Sequence, residues 1–249
     1  MDPAPLLILM YHHAGAPPAG ARKKRLYVDA DRLAAQVRLL QHRGYRFTTV
    51  SDAQVSRTGP TACVTFDDGY RDALEVALPV LRPLGAPATL YVVTEDIGRR
   101  GIMWPEEQPG VVPADLADWD ELRTLAAAGW EIGSHAHRHL RLARRSKDEQ
   151  RALIDDSFRT LAAQLGDAPR SFAYPYGSYG AETAQLVRAA GFTSAVTTRR
   201  GRVQPGDDPF QLRRVNMFGH RGVDRWQSIK LLLAARGLYP LRKQALLSP

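Results

Sequence analysis

The sequence predicts a single α/β domain built on a parallel sheet, and three features of the chain predict it. Short apolar runs alternate with segments of helical periodicity from end to end. Most of those runs are continuous rather than strictly alternating, the pattern of strands buried on both faces beneath helices. No Pro-, Gly- or Ser-rich linker divides the 249 residues, and an apolar content of 44% suffices for one sizeable core. Repeated strand–helix units of this length imply a parallel sheet, either open or closed into a barrel.

Taken in order, strands are predicted at Leu6 to Tyr11, Phe47 to Val50, Ala62 to Phe66, Thr89 to Val93, Trp130 to Gly133, Ser171 to Tyr174, Ala195 to Thr198 and Gln211 to Val215. The first helix, Asp29 to His42, places Leu33, Val37 and Leu40 on one stripe and ends at Gly44. Asp72 to Leu84 is interrupted by Pro79, which kinks or restarts it. Asp118 to Ala128 opens on an Asp-x-x-Glu signal. Ser146-Lys147-Asp148-Glu149 has capping-box spacing and opens a helix with Leu153, Ile154, Phe158, Leu161 and Leu165 inward, stopped by Gly166. Residues 1–222 are expected to form the domain. Residues 223–249 are expected to add an amphipathic helix, Val223 to Ala235, and a tail packed on it.

Composition narrows the function less than the pattern does. The single cysteine, Cys63, lies in an apolar run and reads as a small core residue, so no intrachain disulfide forms. No basic segment precedes Leu6 to Met10, no small-residue cleavage site follows it directly, and no run reaches the roughly 18 residues of a membrane span. The expectation is a cytoplasmic protein. The formal charge of +8 comes from short clusters, Arg22 to Arg25, Arg141 with Arg144 and Arg145, Arg199 with Arg200 and Arg202, and Arg242 with Lys243. They read as solvated surface or as attraction to an anionic polymer or membrane face. No zinc-finger spacing, aromatic RNA platform or basic heptad supports specific nucleic-acid binding. Oligomeric state has no signature.

The chemistry-bearing residues fall at strand ends. Asp67-Asp68-Gly69 follows one strand, His12 and His13 another, His135, His137 and His139 a third, and Tyr174-Pro175-Tyr176-Gly177 a fourth. In parallel strand–helix folds these ends share one mouth, where active sites are built. Adjacent carboxylates can supply one metal ligand and one base for a hydrolytic water. His135 and His139, four apart, share a face if the segment makes a helical turn. One carboxylate and two imidazoles leave open positions on a zinc-like ion, as a catalytic site requires. Trp104, in the Pro-rich excursion from Gly98 to Pro113, is a candidate for stacking on substrate.

Three segments carry a family resemblance: Thr65-Phe66-Asp67-Asp68-Gly69-Tyr70, Glu131-Ile132-Gly133-Ser134-His135-Ala136-His137-Arg138-His139-Leu140, and Phe172-Ala173-Tyr174-Pro175-Tyr176-Gly177. In this order they resemble the motifs of polysaccharide deacetylases, carbohydrate esterase family 4, and the resemblance runs from about Leu6 to Asn216. It implies a distorted (β/α) barrel of about seven parallel strands, of the NodB-homology type, that removes N-acetyl groups from sugars with one divalent metal, Zn²⁺ or alternatively Co²⁺ or Ni²⁺. It implies Asp67 as general base, Asp68, His135 and His139 as metal ligands, the Tyr176 backbone N–H as oxyanion donor, and Tyr174 and Pro175 beside the substrate.

Three departures accompany the resemblance. Ala136 stands where a loop-fixing Ser or Thr is usual, and Ala173 where an arginine is usual, leaving Arg214 or Arg170 to orient Asp67. The late Leu-x-His motif of the general acid is absent, and the only histidine after position 139 is His220. Leu9-Met10-Tyr11-His12-His13 resembles the opening of the rearranged branch that includes poly-N-acetylglucosamine deacetylases, which implies His12 as acid and a structural His13. The substrate implied is an N-acetylated sugar or glycan, a cytoplasmic or lipid-linked precursor among them. The alternatives are a related C–N hydrolase, such as a sugar deformylase or small-amide hydrolase, and a non-catalytic carbohydrate-binding relative.

Overall fold

The computed structural model describes residues 4–104, 112–217, 231, 233 and 234. Its strands are β1 (Leu6–Tyr11), β2 (His13–Ala14), β3 (Tyr27–Val28), β4 (Arg46–Phe47), β5 (Thr61–Phe66), β6 (Ala88–Val92), β7 (Glu131–Ser134), β8 (Ser171–Ala173), β9 (Ser194–Arg200) and β10 (Leu212–Asn216). Its α-helices are α1 (Ala30–Gln41), α2 (Val50–Val55), α3 (Leu78–Leu81), α4 (Trp119–Ala127), α5 (Lys147–Leu165) and α6 (Ala181–Ala189). Seven strands, β1 and β5 to β10, pair in parallel in chain order. The ring closes where β1 meets β5, from Leu6 opposite Thr61 to Tyr11 opposite Phe66. The fold is therefore a closed barrel. Short β4 joins the outer edge of β5, and β2 pairs with β3 as a separate ribbon.

The continuous apolar runs are explained by two-sided burial. Along β1, Leu7, Leu9 and Tyr11 pack outward with Leu33, Val37 and Leu40 of α1, while Leu6 and Ile8 join the barrel interior. The interior is completed by Cys63, Tyr91, Ala173, Val196 and Leu212. Because side chains alternate along a strand, the inward set of β7 is Glu131, Gly133 and then His135 just past its end. Tyr91 occupies the room left by Gly133, where an added Cβ would lie 2.6 Å from that ring.

The helical signals act as their chemistry suggests. Asp118 with Glu121, and Ser146 with Glu149, each form a reciprocal capping box. Gly166 ends α5 in the left-handed conformation. The segment after Asp72 breaks at Pro79 into a wide turn, Ala73–Ala77, and the short α3 that carries the proline in its first turn.

Two sequence expectations change. The strand expected at Phe47 to Val50 ends at Phe47, because Thr49 accepts the Asp52 N–H at 3.3 Å and caps α2. Helix α6, which follows Gly180 and buries Ala184, Leu186 and Val187, was not among the expected elements. Most of the expected C-terminal helix, and His220, lie outside the described residues, although Leu231 and Ala234 are buried in the main core. Among the described residues no helix is long and apolar enough to cross a membrane.

The N-terminal end of the barrel is sealed by one buried carboxylate. Glu131 accepts from Ser51 N–H at 3.1 Å, from Thr89 Oγ1 at 3.0 Å, from Ser171 Oγ at 2.7 Å and from Ser51 Oγ. Glu131→Ala leaves all four donors without this acceptor, so unfolding free energy should fall by about 2–4 kcal/mol. Urea denaturation will show this as a lower midpoint at unchanged slope; an unchanged midpoint would contradict the assignment.

Candidate active site

The inward set of β5 runs through Cys63 and Thr65 to Asp67, which delivers the first carboxylate to the mouth end of the barrel. There Arg214 grips it as a fork, Nη1 donating to Oδ1 and Nη2 to Oδ2, both at 2.7 Å. Arg214 has the inward parity of Leu212 on β10 and is 1% exposed. Its Nε donates to the Thr197 carbonyl at 2.9 Å and its Nη1 to Thr65 Oγ1 at 3.1 Å, which fixes the fork on three strands. Burial pushes the Asp67 carboxyl up. The charge and hydrogen bonds of Arg214, with the charges of His135 and His12, outweigh that and hold it below the usual carboxylate range. Arg170, the other candidate for this place, pairs with Asp52 at 2.9 Å on the surface.

Asp68 would point outward if the strand continued. Instead its φ of 76° and the φ of 80° at Gly69 turn the chain and bring its carboxylate back into the mouth. A left-handed aspartate stores roughly 1–3 kcal/mol of backbone strain. Asp68 Oδ1 lies 3.3 Å from His135 Nε2 and 3.2 Å from His139 Nε2. One donor atom from each of the three falls within 4.8 Å of the others. His135 Nδ1 is 2.7 Å from the Ala173 carbonyl, so Nδ1 carries the proton and the Nε2 lone pair faces Asp68. Burial pushes the Asp68 carboxyl up, but His139 and His135, together with the His12 charge, hold it well below the usual range. A buried carboxylate and two imidazole nitrogens aimed at one point fit a divalent metal ion.

The segment from His135 to His139 is an irregular loop, not a helical turn; the two imidazoles converge because Ala136 adopts φ 65°. The hydroxyl that Ala136 lacks is supplied one residue pair earlier. Ser134 Oγ accepts the Ala136 N–H at 3.1 Å and donates to Ser157 Oγ at 2.7 Å. His137 turns away, with Nδ1 2.9 Å from Thr94 Oγ1.

Aromatic rings wall the site. His139 lies between Trp104 and Tyr176, at centroid distances of 4.6 and 4.3 Å. Trp104 donates from Nε1 to Tyr70 OH at 3.0 Å, and Arg141 lies 4.2 Å above the Tyr176 ring. Tyr176 has φ 57°, and the next residue must be glycine, since a Cβ on Gly177 would meet Thr198 Oγ1 at 2.0 Å. Pro175 is buried at the start of this turn.

Tyr174 is corrected. Its ring packs in the outer core on Tyr179 at 4.5 Å and its hydroxyl donates to the Phe210 carbonyl at 3.0 Å, so it offers nothing to a substrate. The parity was readable: Ser171 and Ala173 face inward, hence Phe172 and Tyr174 outward. His12 is half-buried, and its charge acts on both Asp67 and Asp68. Tyr70, Asp72, Ser134 and Arg141 also belong to the site's surroundings, and the sequence reading gave none of them a role there. Tyr70 and Asp72 follow directly on Asp67-Asp68-Gly69, which was the available signal.

At the mouth of a closed parallel barrel an Asp–His–His set stands beside an arginine-gripped carboxylate, and similarity to known proteins places this arrangement among the polysaccharide deacetylases. The chain belongs to the polysaccharide deacetylase family, whose profile matches residues 54–195. It is 27% identical over 221 residues to YxkH of Bacillus subtilis (strain 168), which carries the polysaccharide deacetylase name, covering 86% of this chain and 72% of that one. The poly-β-1,6-N-acetyl-D-glucosamine N-deacetylase of Staphylococcus aureus (strain MRSA252) is 21% identical, covering 82% of this chain and 73% of the relative. Among solved structures, the Streptococcus pyogenes deacetylase PplD in complex with acetate superposes with a TM-score of 0.77 at 25% identity, covering 94% of this chain and 99% of that one. The matched family span begins after His12 and ends before Arg214, so the placement of those two residues rests on this chain's own geometry.

If the three donors form one site, equilibrium dialysis should load one divalent ion per chain. Asp68→Ala and His135→Ala should each abolish that loading, while Asp67→Asn should retain it. Loss of loading in Asp67→Asn alone would contradict the division of the two carboxylates.

Proposed function

We propose that this chain is a metal-dependent N-deacetylase that hydrolyses the acetamido group of an N-acetylglucosamine-containing glycan. The observation that carries the reading is the pair of neighbouring carboxylates with separate duties: Asp67 clamped by Arg214 at 2.7 Å through both oxygens, and Asp68 turned onto His135 and His139. The relatives named for poly-β-1,6-N-acetylglucosamine deacetylation support the substrate class. Asp68, His135 and His139 would hold the ion, taken as Zn²⁺ from the mixed nitrogen and oxygen donor set, with Co²⁺ or Ni²⁺ as functional replacements. When bound, such an ion polarises the acetamide carbonyl and lowers the pKa of water towards about 7.

The chain's own residues supply the rest. Asp67 accepts the proton of the attacking water, and Arg214 holds its carboxylate in register and ionised. The Tyr176 N–H, presented by its left-handed turn, donates to the developing oxyanion, a contact whose removal typically costs about 10²–10³ in turnover. His12 gives its proton to the amine nitrogen as the C–N bond breaks. Trp104 and Tyr176, on either side of His139, form the walls against which the acetyl group and sugar ring lie. Exposed Arg22, Lys24, Arg25, Arg138 and Arg144 suit a substrate on an anionic carrier or membrane face.

The test is acetate release from β-1,6-linked N-acetylglucosamine oligomers and from a lipid-linked acetamido sugar, before and after chelation. Chelation should abolish release and Zn²⁺ restore it. Asp67→Asn should lower kcat by about 10²–10⁴ with metal loading intact. Glycan binding without turnover would identify a non-catalytic relative, and turnover of formamido sugars alone would identify a deformylase.

Arg214→Met tests the base directly. With Arg214 gone, the buried Asp67 carboxyl rises from its depressed value. The base is then protonated at higher pH, so the acid limb of the pH–kcat/KM profile should move upward, not downward.

A further inference from the structure

The histidine beside His12 is built into the site in a way that neither the metal nor the base requires. His13 is 2% exposed, and its ring lies flat between Tyr27 and Tyr70, at centroid distances of 4.4 and 3.7 Å. Its Nδ1 is 2.7 Å from Asp72 Oδ2, and the other oxygen of Asp72 accepts the Ala14 N–H at 3.1 Å. Its Nε2 is buried with no hydrogen-bond partner among the described residues. Such a ring cannot reach a substrate, so of the two adjacent histidines His12 alone can act as acid.

Tyr70 and Asp72 both lie on the loop that carries Asp67 and Asp68. One face of His13 and its Nδ1 therefore bind the N-terminal segment to that loop at two points, on the residue directly after His12.

We infer that the His13–Asp72 pair, clamped by Tyr27 and Tyr70, is a positioning device for the general acid, setting His12 at a fixed distance from the carboxylate loop. The inference rests on the deacetylase reading. The pair touches no substrate. It acts only on the step in which His12 delivers its proton to the amine nitrogen, the C–N bond breaks and its electron pair passes to that nitrogen.

That step can be isolated with two substrates. An N-acetyl sugar needs its amine protonated to leave, whereas para-nitrophenyl acetate expels a nitrophenolate that does not. His13→Ala and Asp72→Ala should lower kcat on the N-acetyl oligomer by about 10–100-fold, the range of a misplaced acid. The same variants should keep their Zn²⁺ loading and hydrolyse the aryl ester at close to the parent rate. Asp72→Asn, which keeps an oxygen acceptor and the side-chain shape, should recover most of the amide activity and guards against a variant that fails to fold.

A proportional fall on both substrates, or no fall on the amide, overturns the proposal. A parent protein that loads metal and turns over neither substrate removes the underlying deacetylase reading instead, a result distinguishable from either.

Discussion

The fork between Asp67 and Arg214 is the interaction around which this barrel is arranged. Removing two charges from water costs several kcal/mol per ion, and only good geometry with additional hydrogen bonds recovers it. Both conditions are met: two parallel bonds of 2.7 Å, with the remaining guanidinium donors on Thr197 and Thr65. These contacts tie β5, β9 and β10 together at the mouth end. They hold the buried Asp67 carboxylate ionised at the top of a largely apolar barrel interior. The arginine comes from the last barrel strand, β10, while Ala173 on β8 offers Asp67 no donor side chain.

Neighbouring carboxylates with different tasks are a problem of direction. Strand alternation alone would send Asp67 inward and Asp68 into the helix layer. The left-handed backbone at Asp68 and Gly69 reverses the second one, and Ala136 and Tyr176 repeat the device at two other strand ends. The three left-handed non-glycine residues of the described chain thus all lie at the site. Backbone strain is concentrated where side chains must converge, as expected of a rigid barrel that holds strained loops in place.

The interior has two polar poles separated by an apolar middle. Glu131 with its four donors closes one end, and His135, two positions further along the same inward line of β7, opens the other. Between them Gly133 yields space to Tyr91. Stability belongs to the closed pole and chemistry to the open one, the division common to parallel barrels. The ribbon formed by β2 and β3 lies outside the barrel, and its His13 connects the start of the chain to the carboxylate loop.

Local signals were legible wherever a short stretch of chain settles its own geometry. The two-sided apolar strands, the capping boxes at Asp118 and Ser146, the break at Pro79 and the convergence of Asp68, His135 and His139 at one mouth could all be read from residue order. Thr49 was misread because a two-residue strand followed by a capped six-residue helix is too brief for periodicity to separate. Tyr174 was misplaced because its motif drew attention from the parity that sends it outward. The choice between Arg214 and Arg170 belongs to the tertiary structure alone, since a long arginine at either chain position could in principle reach a carboxylate. Only closing the ring of β1 onto β5 and β10 sets which guanidinium faces Asp67, and only the folded chain buries His13 against Asp72 while leaving its neighbour His12 half-buried.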